Sequence, residues 1–326
     1  MKDFYEWGAG LGMKVSEVNS RLIAAIQTEQ KNLFNMAKYT IEAGGKRFRP
    51  MLTILAYQIS TDADYHNILD LAAGYELIHT ASLVHDDIID KAATRRGRPT
   101  VNSVYGLEDA IVVGDYLFAK AYELGSRYGA VVSKIMADAS SRLAEGQVLE
   151  SVNLGNIDIS EKTYIEIISN KTARFFEACA VGATVASGAS NEIINGLKDF
   201  SYNLGMAFQV TDDILDIIGD PNKIGKPVFT DIKHSALTIP LIHALNSSKK
   251  GIHDELVDLL KDPENTANDK RIKEIIVESG ALDYSFTIAK NYTDGALESL
   301  KNSKRTPDLD LLIELAMMVV ERIQEI

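Results

Sequence analysis

Apolar residues recur at steps of three and four along almost the whole chain, and strand-like alternation is nearly absent. This pattern predicts helices over 15–43, 48–60, 65–91, 107–126, 130–153, 161–188, 191–219 and 236–247. Shorter ones are predicted over 252–261, 269–279, 281–301 and 308–325. The punctuation fits. Ser160 stands where it can cap the run EKTYIEII, and Thr306-Pro307 reads as a cap followed by proline at the first helical position. Gly44-Gly45 closes one helix and Gly219-Asp220-Pro221 another. The stretches 110–121 and 173–188 are apolar around most of their circumference, which predicts helices inside a bundle rather than on its surface. No composition shift, repeat or low-complexity run divides the chain. The expected architecture is one all-α domain over residues 1–326, a bundle of helices.

Two copies of one acidic pattern interrupt this apolar background. Asp86-Asp87-Ile88-Ile89-Asp90 and Asp212-Asp213-Ile214-Leu215-Asp216 both read DDxxD and both lie in strongly apolar helical segments. Residues four apart share a helix face, so Asp86 and Asp90 point one way, as do Asp212 and Asp216. Like charges at that spacing repel unless a cation neutralises them. Hard divalent cations such as Mg²⁺ take one or two carboxylates and complete their shell with substrate phosphates. Two such helices facing each other would clamp a diphosphate. At 100° per residue, His79 falls within about 20° of Asp86 on one stripe, which Ser82 and Tyr75 continue toward the helix start.

The formal net charge of −12 and the pI near 5.0 argue against a nucleic-acid surface. An acidic chain binds phosphate only where basic side chains or metals reverse the local field. Such places exist. Gly44-Gly45-Lys46-Arg47-Phe48-Arg49-Pro50 connects two helices, Arg95-Arg96-Gly97-Arg98 forms a loop after the first acidic motif, Lys171 precedes Thr172 and Arg174, and Lys226 and Lys233 follow the second motif. One metal-rich and one purely basic pocket imply two phosphorylated substrates. The single cysteine, Cys179, excludes an intrachain disulfide framework and fits a reducing, cytoplasmic setting. No run approaches the roughly 18 apolar residues of a membrane span, and no secretory signal is expected.

These residues resemble the trans-isoprenyl diphosphate synthase (polyprenyl synthetase) family over about 41–245, with similarity to medium- and long-chain polyprenyl or geranylgeranyl diphosphate synthases. The resemblance implies a prenyltransferase with a helical bundle around a central cavity, three Mg²⁺ ions, and a homodimer or a heteromer with a small regulatory subunit. Asp86, Asp87, Asp90, Asp212, Asp213 and Asp216 resemble the metal-binding aspartates. Lys46 and Arg49 of GGKRFRP, His79 and Arg96 resemble the isopentenyl diphosphate site. Arg95, Lys171, Thr172, Gln209 of FQVTDD and Lys226 of GKP resemble contacts to the allylic diphosphate and its cation. One position departs: the segment Asp231 to Pro240 carries Ala236 where the family usually has a lysine.

In this family, bulk just before the first motif limits product length. Ser82 and Ala81 are small, with Tyr75 as a deeper floor, so a product of C30 or longer is expected, with C20 as the alternative. A class I terpene cyclase shares DDxxD but normally pairs it with an Asn/Ser/Glu-type site and lacks the GGKR segment.

Overall fold

The computed structural model describes residues 8–221 and 227–324, and among these the regular structure is helical apart from one short hairpin. The helices that carry the argument are α1 (Gly8–Ala25), α2 (Lys31–Glu42), α3 (Phe48–Ser60), α4 (Leu69–Ile89), α5 (Val101–Tyr105), α6 (Leu107–Gly125), α7 (Gly129–Ser151), α8 (Glu161–Ile168), α9 (Arg174–Ala186) and α10 (Asn191–Ile218). Further helices follow, among them Ile239–Ser247, Lys250–Leu260, Asp269–Glu278, Ala281–Ser299 and Pro307–Gln324.

Local capping explains several ends. The Ser160 hydroxyl accepts from Thr163 N–H at 3.0 Å, and Thr306 accepts from Leu309 N–H at 3.2 Å ahead of Pro307. The expected helix over 15–43 is two helices, because the Gln30 side chain accepts from Asn32 N–H and restarts the chain at α2. The expected helix over 161–188 is likewise interrupted. Ser169–Ala173 forms a π-turn between α8 and α9, a wide turn that inserts one extra residue into the helical ladder.

The chain forms two compact units. The described residues up to Ser140, with Ala178–Lys198 and Arg305–Leu312, make the first; those of Ser141–Glu177, Asp199–Lys304 and from Ile313 onward make the second. In the first, α4 packs along α6 and against α1 and α3. Helix α4 is buried at every position from Leu71 to Ile78, and Gly74 lets it approach α6, where an added Cβ would sit 3.2 Å from the Ala121 carbonyl. In the second, Met206, Val210, Ile214 and Ile217 of α10 join Ile167 and Ile168 of α8 and the apolar faces of the later helices in one core.

The stretch 173–188 is buried as expected, with Phe175, Phe176, Cys179 and Ala183 fully enclosed. The stretch 110–121 is not. Ala110, Val113, Leu117 and Ala121 are buried, but Ile111 is 44% and Val112 52% exposed, beside exposed Val104 and Leu107. One face of α6 packs on α4 while the other faces outward in the single chain.

Candidate active site

The first acidic motif occupies the last turn of α4, with Asp90 as its C-cap. The negative end of a helix dipole is the least favourable place for carboxylates, and three stand there with no basic residue in the same turn. Lys91 takes the left-handed conformation (φ +51°) that usually calls for glycine. Its N–H bonds to the Ile88 carbonyl and that of Ala92 to the Asp87 carbonyl, closing the helix. Asp86 is half-buried and Asp90 exposed, one turn apart. Asp87 differs. It is buried and paired with Arg95, and burial raises its carboxyl above the ordinary range despite that guanidinium.

The loop after α4 is a hairpin, Thr94–Arg95 against Arg98–Pro99, turned by Arg96 (φ +53°) and Gly97 (φ +73°). Two successive positive φ values match the tight turn that follows strand twist. The hairpin is tied to α2 by Tyr39, which donates to the Pro99 carbonyl at 2.7 Å, and by Arg98, which donates to the Glu42 carbonyl at 3.1 Å. Arg96 donates to the Gly44 carbonyl, and a Cβ on Gly45 would lie 2.8 Å from its guanidinium. Glycine is called for here by the backbone, since Gly45 has φ +146°. His79 of α4 and the two arginines of the hairpin thus converge on one pocket, next to the GGKR segment that Arg96 touches. Its lining includes Tyr39, Glu76, His79, Asp87, Arg95 and Arg96.

Burial, then the guanidinium groups of Arg49, Arg96, Arg95 and Arg47, hold the His79 imidazole well below its usual range. The ring is therefore neutral at pH 7. Because the folded state resists a proton that the unfolded chain accepts, stability falls as pH drops below about 6.5. His79→Gln is expected to flatten the melting temperature between about pH 5 and 6.5 relative to the parent chain. Equal acid limbs in the two proteins would remove His79 from that role.

In the second unit the π-turn presents Lys171 and Thr172 side by side. Lys171 is paired with Glu150 of α7. The Thr172 hydroxyl donates to Gln209 Oε1 at 2.9 Å, Gln209 Nε2 donates to Asp213 at 2.9 Å, and the Tyr164 hydroxyl donates to Asp213 at 2.6 Å. Burial beside Asp213 raises the Tyr164 hydroxyl well above its usual value, so it remains a donor. Asp216 accepts from Thr230 N–H at 3.2 Å, from the Thr230 hydroxyl and from Asp231 N–H at 3.1 Å, anchoring the chain beyond α10. Asp212 takes an ion pair from Arg322 at 3.0 Å, and that guanidinium also lies over Phe208. Lys226 lies outside the described residues.

Among the described residues no three His, Cys, Asp or Glu side chains form a ready cage for a metal. The donor set nonetheless fits Mg²⁺, which needs only one or two carboxylates beside phosphate oxygens. Asp86 and Asp90 are hard oxygen donors crowded at a negative helix end, and at Asp212 a cation already stands in.

Sequence reasoning missed Glu76, Glu150, Tyr164 and Arg322 as partners of site residues. Glu76 carried a signal, a lone acid one turn before His79 in an apolar helix. The others carried none.

Residues 30–278 match the family model described as Polyprenyl synthetase. The chain belongs to the polyprenyl synthetase family. It is a prenyltransferase of the trans-isoprenyl diphosphate synthase type with the all-α isoprenoid synthase fold. This polyprenyl synthetase is 32% identical over 311 residues to octaprenyl diphosphate synthase of Escherichia coli K12, covering 94% of each chain. It is also 32% identical over 320 residues to geranylgeranyl diphosphate synthase of Saccharolobus solfataricus, covering 94% of this chain and 96% of that one. Among solved structures, a polyprenyl synthase from Caulobacter crescentus complexed with calcium and isoprenyl diphosphate is similar with TM-score 0.89 and 34% identity over 95% of both chains.

Proposed function

We propose that this polyprenyl synthetase condenses isopentenyl diphosphate with an allylic diphosphate into an all-trans polyprenyl diphosphate of C30 or longer. The observation that carries the reading is the pocket where Arg95, Arg96 and a neutral His79 converge beside the GGKR loop. Lys46, Arg49 and Arg96 hold the diphosphate of isopentenyl diphosphate, with His79 as an uncharged hydrogen-bonding partner. Asp86 and Asp90 of the first motif, and Asp212 of the second, would each supply carboxylate oxygens to Mg²⁺. Asp87, Asp213 and Asp216 orient Arg95, Gln209 and the 229–231 turn, each already engaged by those partners. Magnesium, when bound, neutralises diphosphate oxygens and eases departure of the group. Arg95, Lys171 and Lys226 stabilise the departing charge, and the Thr172 and Gln209 oxygens face the allylic cation. The isopentenyl double bond attacks that carbon, and the released diphosphate accepts the proton lost. The calcium and isoprenyl diphosphate of the Caulobacter structure support this assignment of ligand classes.

Chain length rests on α4. Ala81 and Ser82 are small and buried, and Ser82 donates to the His79 carbonyl at 2.9 Å. Tyr75, about 10 Å further along the helix axis, is fully buried. Its hydroxyl donates to the Ala178 carbonyl at 2.6 Å, and a Cβ on Gly182 would come within 2.2 Å of it. A ring held that firmly favours the shorter C20 product as the second reading. Incubating the protein with labelled isopentenyl diphosphate and several allylic primers, then sizing the products, decides between them. Ser82→Phe is expected to shorten the product; an unchanged distribution would take Ser82 out of length control.

The open apolar strip of Val104, Leu107, Ile111 and Val112 supports a homodimer. A species of one chain mass in light scattering would count against the homodimer. No helix among the described residues is long and apolar enough to cross a membrane, and the single buried Cys179 supports a cytoplasmic setting.

A further inference from the structure

Within the segment Gly44–Arg49, Arg47 behaves unlike the cations on either side of it. Its side chain is only 4% exposed, and Nη1 lies 2.8 Å from Glu76 Oε1, which is equally buried. Nε donates to Asn19 Oδ1 at 2.8 Å, Nη2 donates to the Ile41 carbonyl at 3.0 Å, and Nη1 also reaches the Gly44 carbonyl at 3.4 Å. One guanidinium therefore ties α1, the end of α2, the glycine loop and α4 together. The Gly44 carbonyl is shared with Arg96, so the same knot reaches the hairpin. Arg47 itself holds a left-handed backbone at φ +50°, which a residue with a side chain adopts only under such restraint.

We propose that Arg47 and Glu76 are positioning residues that preassemble the isopentenyl diphosphate pocket, a proposal that rests on the reading of that pocket given above. Two adjacent glycines would leave the loop many conformations, and ordering them would weaken every binding event. The buried pair removes that freedom before the ligand arrives. Glu76 also resolves an electrostatic difficulty. It lines the pocket, yet its charge is spent on Arg47, so it neither repels the diphosphate nor leaves a fifth cation among Lys46, Arg49, Arg95 and Arg96 uncompensated.

The test is the double variant Arg47→Met/Glu76→Leu, which leaves no unpaired buried charge, checked first by thermal melting. Calorimetric Kd for isopentenyl diphosphate without metal, and its KM, are expected to rise about tenfold or more. The KM for geranyl diphosphate and kcat are expected to stay within about threefold. An unchanged Kd for isopentenyl diphosphate, or equal rises in both KM values, would overturn the proposal. Should the double variant not fold, Asn19→Ala removes a single tie and is expected to raise that Kd about threefold; an unchanged value overturns it equally. Lys46→Ala separates the two levels of inference. If it also leaves isopentenyl diphosphate binding intact, the pocket assignment itself fails.

Discussion

Asp86→Ala is expected to lower turnover at saturating magnesium by about 10³-fold while changing stability by less than about 1 kcal/mol. The asymmetry follows from where the residue stands. Asp86 is half-buried at the C-terminal end of α4, four residues from Asp90, and both the helix dipole and the neighbouring carboxylate disfavour its charge. Removing it costs the fold little and deprives the reaction. A residue kept for packing would show the reverse order of effects. The parent chain should also gain melting temperature from magnesium plus inorganic diphosphate by mass action, and the variant should lose that gain. Near-parental turnover of Asp86→Ala with magnesium would end the assignment of the first motif to metal binding. Asp213→Ala should behave differently, because Asp213 accepts from both Tyr164 and Gln209 and its loss leaves one buried and one half-buried donor unmatched.

Most helices were legible because burial of one face imposes a period, and caps such as Ser160 and Thr306 mark the ends. What periodicity could not register was a change of pitch. The π-turn at Ser169–Ala173 sits in a stretch whose apolar residues continue at helical steps on both sides, so 161–188 read as one element. The outward face of α6 was misread for a related reason: Ile111 and Val112 are apolar, and an apolar residue open to water in one chain looks identical in sequence to a buried one. At the site, residue types were legible and partners were not. Lys46, Arg49, His79, Arg95 and Arg96 stand out as charges in short motifs. Their supports act through left-handed backbone at Arg47 and Arg96, which no propensity forecasts for arginine. The pairing of Arg322 with Asp212 joins positions 110 residues apart and left no trace in the spacing of either.

The π-turn carries the second large expected effect. Two glycines give it room. A Cβ on Gly146 of α7 would stand 2.8 Å from Lys171 Cγ and 3.0 Å from Lys171 N, and one on Gly205 of α10 would stand 2.7 Å from Ala173 Cα. The far atom at Gly205 is backbone, which cannot swing aside as a side-chain tip does. Gly205→Ala must therefore push the turn away from α10, the helix whose Gln209 receives the Thr172 hydroxyl. The expected result is a loss of about 1–3 kcal/mol of stability and, at temperatures where the variant is fully folded, about a 10²-fold fall in kcat/KM for the allylic substrate. Gly251→Ala serves as the control. An added Cβ there meets nothing within 4 Å, and the position lies in the helix Lys250–Leu260, so stability should rise by up to about 1 kcal/mol with kinetics unchanged. Thermal unfolding and steady-state kinetics on the two variants make the comparison. If Gly205→Ala loses stability yet keeps parental kinetics, then Lys171 and Thr172 do not depend on the width of this turn, and the placement of catalytic groups must be sought in Glu150 and Gln209 alone.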